Sequence, residues 1–196
     1  MSDNPVGIHL GPNNCRIGIC KNWRVEIIVN ELGNINTPSV VSFTKTDILV
    51  GEDAKKNQTR NPENTIYGIR EIIGKKFDNP DVQKFIKKVP FKIEKDLKTD
   101  KPKIIVQYKE ETKSFFPEEI YSIIIKKLIQ YARDYSESNI KDAIITIPSY
   151  YNDSQREAIQ DAGKLAGVNV LRIIKKRLQL VMLIDYIIIV MRIRIF

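Results

Sequence analysis

The sequence predicts a mixed α/β domain, and three observations carry that expectation. Residues 143–148, AIITIP, form a short unbroken apolar run, the pattern of a strand covered on both faces. A capped helix pattern and a second strand pattern, VNVLRII at 168–174, follow directly, so about 30 residues spell a βαβ unit. Near the start of the chain, three further strand patterns lie close together: Val6 to Leu10, Cys15 to Cys20 and Val25 to Val29.

Taken in order, Val6 to Leu10 is a buried strand that runs into Gly11, Pro12 and Asn13, a turn. The next two strands meet around Asn22-Trp23, a two-residue hairpin connection. Asn22 tolerates the positive φ of such a turn. Trp23 does so at about 1 kcal/mol, and is expected to cap an apolar edge. Pro38 forces the residue before it out of the helical region, so TPSVVSF reads as extended through Phe43. Residues 52–76 read as polar and helix-tolerant, with Pro62 near a helix start and Ile66, Ile69, Ile72 and Ile73 forming one apolar face. Val82, Phe85 and Ile86 give a short helix, and FKIEKD and KIIVQY give strands around a Lys/Asp-rich turn. Pro117 with Glu118 and Glu119 opens a long helix to about Tyr135, its core face carried by Ile120, Ile123, Ile124, Leu128 and Tyr131. The helix after AIITIP opens at Asn152, Asp153 and Ser154, with Glu157 as the expected capping-box partner, and ends at Gly167. No internal repeat is present.

The 196 residues suit one medium domain, or half of a larger one, and the 42% apolar content excludes a disordered composition. The net charge of +8 sits mostly at the end of the chain. Residues 172–196 carry six Lys/Arg against Asp185 alone, whereas the preceding 171 residues carry 26 basic and 23 acidic groups, interspersed. That distribution argues for a solvated mixed-sign surface over a nucleic-acid face. Cys15 and Cys20, five apart in one strand, project to opposite faces and cannot pair. Two thiols that form no disulfide and a polar start without an apolar leader predict a soluble protein of a reducing compartment, the cytoplasm. The longest apolar run, Leu178 to Met191, is interrupted by Gln179 and Asp185 and falls short of a membrane span.

With these elements placed, the chain resembles the N-terminal part of the heat shock protein 70 family. The resemblance runs through residues 5–174 and is strongest in VGIHLG (6–11), RVEIIVNELGN (24–34), TPS (37–39), NPENTIYGIREIIGKKFD (61–78), PEEI (117–120) and IPSYYNDSQREAIQDAGKLAGVNVLRII (147–174). It implies the first lobe of an actin-like ATPase (ribonuclease H-like) fold, a mixed sheet with flanking helices and an inserted smaller subdomain. By the resemblance, residues 1–38 and 116–174 form the core subdomain, 39–115 the inserted peripheral one, and 175–196 a divergent basic, apolar tail. The family implies ATP/ADP with magnesium as ligand. It also implies J-domain co-chaperones, nucleotide exchange factors and unfolded polypeptide as partners, and neither nucleic acid nor a membrane span.

Carried over position by position, the resemblance places His9, Gly11, Pro12 and Asn13 in the family's first phosphate motif, Ile-Asp-Leu-Gly-Thr-Thr. His9 stands where the family has Asp, Pro12 at the first Thr and Asn13 at the second. A neutral imidazole lacks the anionic oxygen that magnesium prefers, and Pro12 offers neither an N–H nor a hydroxyl. The other reading of His9 is a half-buried imidazole satisfied by backbone, and with no second ligand residue beside it that reading is the stronger. Arg70 takes the position of the family's catalytic lysine, keeping the charge in a larger, planar group; a surface arginine is the alternative. Lys176 stands at the family's Glu position, where a second magnesium-shell carboxylate belongs, and the resemblance stops there. Pro148 and Arg156 match the pair that relays nucleotide state to the peptide-binding domain, and otherwise read as a strand terminator and a helix-surface charge. These residues predict a chaperone ATPase by descent in which hydrolysis is lost. The alternatives are a non-enzymatic interaction module or degraded remnant that binds no nucleotide, and a membrane- or nucleic-acid-binding protein acting through its tail.

Overall fold

The computed structural model describes residues 5–21 and 24–176. The Asn22-Trp23 turn, the Lys176 side chain and the tail from Arg177 lie outside the described residues, as do the expectations placed on them. In chain order the strands and helices are β1 (Val6–Leu10), β2 (Asn14–Lys21), β3 (Arg24–Ile28), β4 (Thr37–Pro38), β5 (Val41–Phe43), β6 (Ile48–Val50), α1 (Glu52–Asn57), β7 (Thr65–Ile66), α2 (Pro80–Ile86), β8 (Lys92–Lys95), β9 (Pro102–Tyr108), β10 (Glu111–Phe115), α3 (Pro117–Ser136), β11 (Asp142–Pro148), α4 (Asp153–Leu165) and β12 (Asn169–Lys176). Short 3₁₀ turns occupy Pro62–Asn64 and Ile69–Glu71.

Six strands form the main sheet, in the order β12-β11-β1-β2-β3 with β4 on β2. β1 pairs parallel with β11 and antiparallel with β2, and β11 pairs parallel with β12. The expected hairpin is present in the β2–β3 register, where Lys21 faces Arg24 across the two-residue connection. One face of the sheet presents Val6, Ile8 and Leu10 of β1, Cys15, Ile17 and Ile19 of β2, and Ala143, Ile145 and Ile147 of β11. α3 and α4 cover this face, packing on each other and on the strands. The other face carries Ile144 with Cys20, Val25, Leu171 and Ile174 around it. Cys15 and Cys20 therefore do lie on opposite faces, and neither forms a disulfide.

Two smaller three-stranded sheets, β6-β5-β7 and β10-β9-β8, stand between β4 and α3 in sequence. Phe43 joins them: it stacks on Phe115 at 4.8 Å and meets Tyr108 edge-on at 5.9 Å.

Three details differ from what the sequence predicts. The isoleucines at 66–73 are all buried, but not on one helix: Ile66 lies in β7, paired on β5, and Ile69 in a 3₁₀ turn. Gly68 and Gly74, both at positive φ, punctuate the segment and prevent a continuous helix. At α4 the capping box is closed by Gln155, not Glu157: Asn152 Oδ1 accepts from Gln155 N at 2.9 Å, and Gln155 Oε1 accepts from Asn152 N at 3.3 Å. Asn152 is the N-cap itself, so the partner three residues on is Gln155. Finally, β12 continues past Ile174 to Lys176 and contains a bulge, because the partner of Ala143 is Val170 while that of Ile144 is Arg172. α4 ends as expected, at Gly167 with φ 81°.

Candidate functional site

The three parallel strands β1, β11 and β12 end at one edge of the main sheet, the edge where open α/β sheets place ligands. The turn Gly11-Pro12-Asn13 leaves β1 there, and Pro148 and the Lys176 backbone lie opposite each other at the ends of β11 and β12. Ser39, buried beside β4, pins the turn. Its hydroxyl donates to the Gly11 carbonyl at 3.0 Å and lies 3.0 Å from Cys15 Sγ, and its N–H donates to the Asn13 carbonyl at 2.8 Å. Burial pushes the Cys15 thiol up to about 11 despite the Ser39 contact. Gly11 has no room for a side chain, since a Cβ would overlap the Asn14 carbonyl and lie 3.2 Å from His9 Nε2. Pro12 and Asn13 are exposed and line a cavity of about 450 Å³ with Ser39, Lys55, Gln58 and Tyr67.

His9 is half-buried, and its Nδ1 lies 3.0 Å from the Thr146 hydroxyl on β11, its register partner. A side-chain hydroxyl is thus one partner of the ring that the sequence predicts to be satisfied by backbone. Thr146 is itself 1% exposed, so the buried end of the pair lies on β11.

Arg70 is held in the 3₁₀ turn that follows Gly68. The close of this segment, Gly74, rests directly on the start of α4, with Gln155 and Ser154 backbone filling the space a Cβ would need. Arg70 Nη2 donates to the Tyr150 hydroxyl, and the guanidinium carbon lies 5.3 Å from the centre of the Tyr150 ring. Its Nε is buried without a hydrogen-bond partner among the described residues. The Tyr151 hydroxyl donates to the Arg70 carbonyl at 3.3 Å. Burial raises the Tyr151 phenol well above its ordinary range, with the Arg70 charge opposing, and burial does the same to Tyr121. Arg70 thus belongs to a tyrosine cluster with Tyr150 and Tyr151. The available signal is the aromatic pair Tyr150-Tyr151 immediately after β11.

Pro148 ends β11 and accepts from Tyr151 N at 3.3 Å. Arg156, on the first turn of α4, pairs with Asp153 at 3.3 Å with both side chains in solvent. It lines a second groove, of about 490 Å³, with Glu157, Gln160, Val170 and Arg172. That groove lies along β12, apart from the cavity beside Pro12.

The donor set decides what the first site can hold. Among the described residues no group of three or more His, Cys, Asp or Glu converges as a metal site. The imidazole of His9 faces Thr146, Pro12 has no N–H to offer, and Arg70 is engaged by Tyr150. These residues do not fit a magnesium-bound triphosphate.

A central β1 flanked by an antiparallel β2–β3 hairpin and a parallel β11-α4-β12 unit, with a polar turn at the strand ends, is the actin-like ATPase fold. The particular family follows from comparison: the model for "Hsp70 protein" matches residues 5–177, and the chain belongs to the Hsp70 family. It is 47% identical to the "Heat shock 70 kDa protein" of Ajellomyces capsulatus over 171 residues, which cover 87% of this chain and 24% of the relative. It is 43% identical to the "Heat shock cognate 70 kDa protein 3" of Dictyostelium discoideum over 171 residues, covering 87% of this chain and 27% of that one. The chain thus spans about a quarter of the length of these relatives.

Proposed function

We propose that this chain is a chaperone ATPase by descent in which magnesium-dependent ATP hydrolysis is lost. The observation that carries the reading is the pairing of His9 with Thr146, which leaves an imidazole, with no anionic oxygen to offer, at the family's carboxylate position. Phosphoryl transfer depends on positioning and electrostatics, and losing one preorganised donor costs about 10²–10³ in rate. Here the substitutions at His9, Pro12, Asn13, Arg70 and Lys176 act on the same phosphate and metal. ATP-driven folding, with J-domain proteins, exchange factors and unfolded polypeptide as partners, is the inherited activity. Pro148 and Arg156 are the inherited relay.

In this reading residues 1–38 and 116–174 form the core subdomain, 39–115 the peripheral one and 175–196 the tail. Two cysteines outside any disulfide suit the cytoplasm. The described residues contain no helix long and apolar enough to cross a membrane.

Phosphate release from ATP with magnesium tests the proposal, alongside a thermal melt with and without the same ligand. The expected result is release equal to buffer and a melt that moves by less than about 1 °C. Release that disappears in Arg70→Ala refutes the loss of hydrolysis, and a shift of several degrees at saturating ligand refutes the loss of the phosphate and metal contacts.

A further inference from the structure

Among the described residues, helices cover one face of the main sheet. On the other, Ile144 is sunk to 3% exposure in the middle, while Cys20, Val25, Leu171 and Ile174 around it are half-exposed. The registers put them on a common surface: Cys20 faces Val25 across β2–β3, and Ile144 and Ile174 project from the same side of β11 and β12. Ile27 extends the patch, because a Cβ on Gly18 would meet its Cδ1 at 3.3 Å and Val25 Cγ1 at 3.4 Å. β11 has the composition of a strand buried on both sides, with five consecutive buried residues. Among the described residues the helices that pack on this sheet, α3 and α4, both serve the opposite face.

We propose that this face is the docking surface for residues 177–196 of the same chain. Three features select that occupant. The segment begins at the end of β12, a strand of this very sheet, so no linker is needed to bring it there. Fifteen of its twenty residues are apolar, including Leu180, Leu183, Ile187, Ile188, Ile189 and Ile193. Its reach is ample: crossing from β12 to β3 takes about 19 Å at about 4.8 Å per strand, against about 30 Å for twenty residues as a helix and more when extended. Tethering also gives the segment an effective concentration of order millimolar, above that of any second copy at ordinary protein concentration. Burying an apolar segment of this composition on an apolar sheet face removes both from water. The inference is independent of whether nucleotide binds.

The test uses the full chain with Arg172→p-benzoylphenylalanine, because Arg172 is exposed and on this face. On irradiation, cross-links within one chain to peptides from 177–196 are expected. Cross-links confined to other chains would assign the face to a second copy, and a lack of tail cross-links would leave it uncovered; either overturns the proposal. A second readout is alkylation by N-ethylmaleimide. Ile188→Asp with Ile189→Asp is expected to raise the Cys20 rate at least tenfold while Cys15, on the helix-covered face, stays protected. An unchanged Cys20 rate with Cys15 protected also overturns it. If Cys15 becomes reactive the variant has unfolded, and the cross-link then decides.

Discussion

Replacing Gly74 with Ala tests how the Arg70 segment is seated. Gly74 has φ 64°, which costs an L-residue about 1–2 kcal/mol. A Cβ there would also stand 2.5 Å from Gln155 Cα and 2.7 Å from both Gln155 N and Ser154 O, where ordinary contact begins near 3.4 Å. All three are backbone atoms of the α4 first turn, so no side chain can rotate away. Overpacking of that kind costs about 1–3 kcal/mol, giving a total near 3 kcal/mol. Gly167 supplies the control: its φ is 81° and nothing lies within 4 Å of where a methyl would sit, so Gly167→Ala carries the conformational cost alone. For a domain of this size about 1 kcal/mol moves the melting temperature by 2–4 °C. The expected losses are about 6–12 °C for Gly74→Ala and about 2–8 °C for Gly167→Ala, read by circular dichroism. Equal losses at the two sites would mean that the segment carrying Arg70 does not rest on α4.

Three more outcomes follow from the packing and the charges. Phe43→Ala removes a fully buried ring that contacts Phe115 and Tyr108, and is expected to cost about 3–5 kcal/mol in urea unfolding. The Lys103 ammonium at 2.8 Å, with Thr99, holds the Asp96 carboxyl at about 2, below its ordinary 3.8. Because the folded value is the lower one, this contribution is present above about pH 4 and is lost as pH falls towards 2. Carbon-detected NMR titration should show the low value, and Lys103→Met should raise it. Cys15, fully buried with its thiol near 11, should react with iodoacetamide at pH 8 at least about a hundredfold more slowly folded than in urea.

Much of the fold is legible in the chain because the signals are local. AIITIP and the Asn152 cap announce β11 and α4, and Pro117-Glu118-Glu119 announces α3, in each case within a few residues. The isoleucines at 66–73 mislead because spacings of three and four are shared by a helix and by a strand followed by a 3₁₀ turn; Gly68 is the distinguishing residue. β10 escapes a reading by pattern because ETKSF has little apolar character: it is an edge strand with half-exposed or exposed residues throughout. At the site, the identities at His9, Pro12 and Arg70 are readable, but their partners are not. Thr146 is 137 residues from His9 and Tyr150 is 80 from Arg70, so only the folded sheet brings them together.

The bulge in β12 has a consequence for how the sheet chooses its pairing during folding. With Leu171 as the extra residue, Ile145 pairs with Ile173, and Arg172 pairs with Ile144, out of phase with the helix-covered positions. Had β12 continued in step from Val170, Arg172 would stand beside Ile145, which is completely buried under α4. Placing an unpaired guanidinium there costs several kcal/mol. The arginine therefore acts as a phase marker: it penalises the uninterrupted alignment and leaves the slipped one as the assembly that can close.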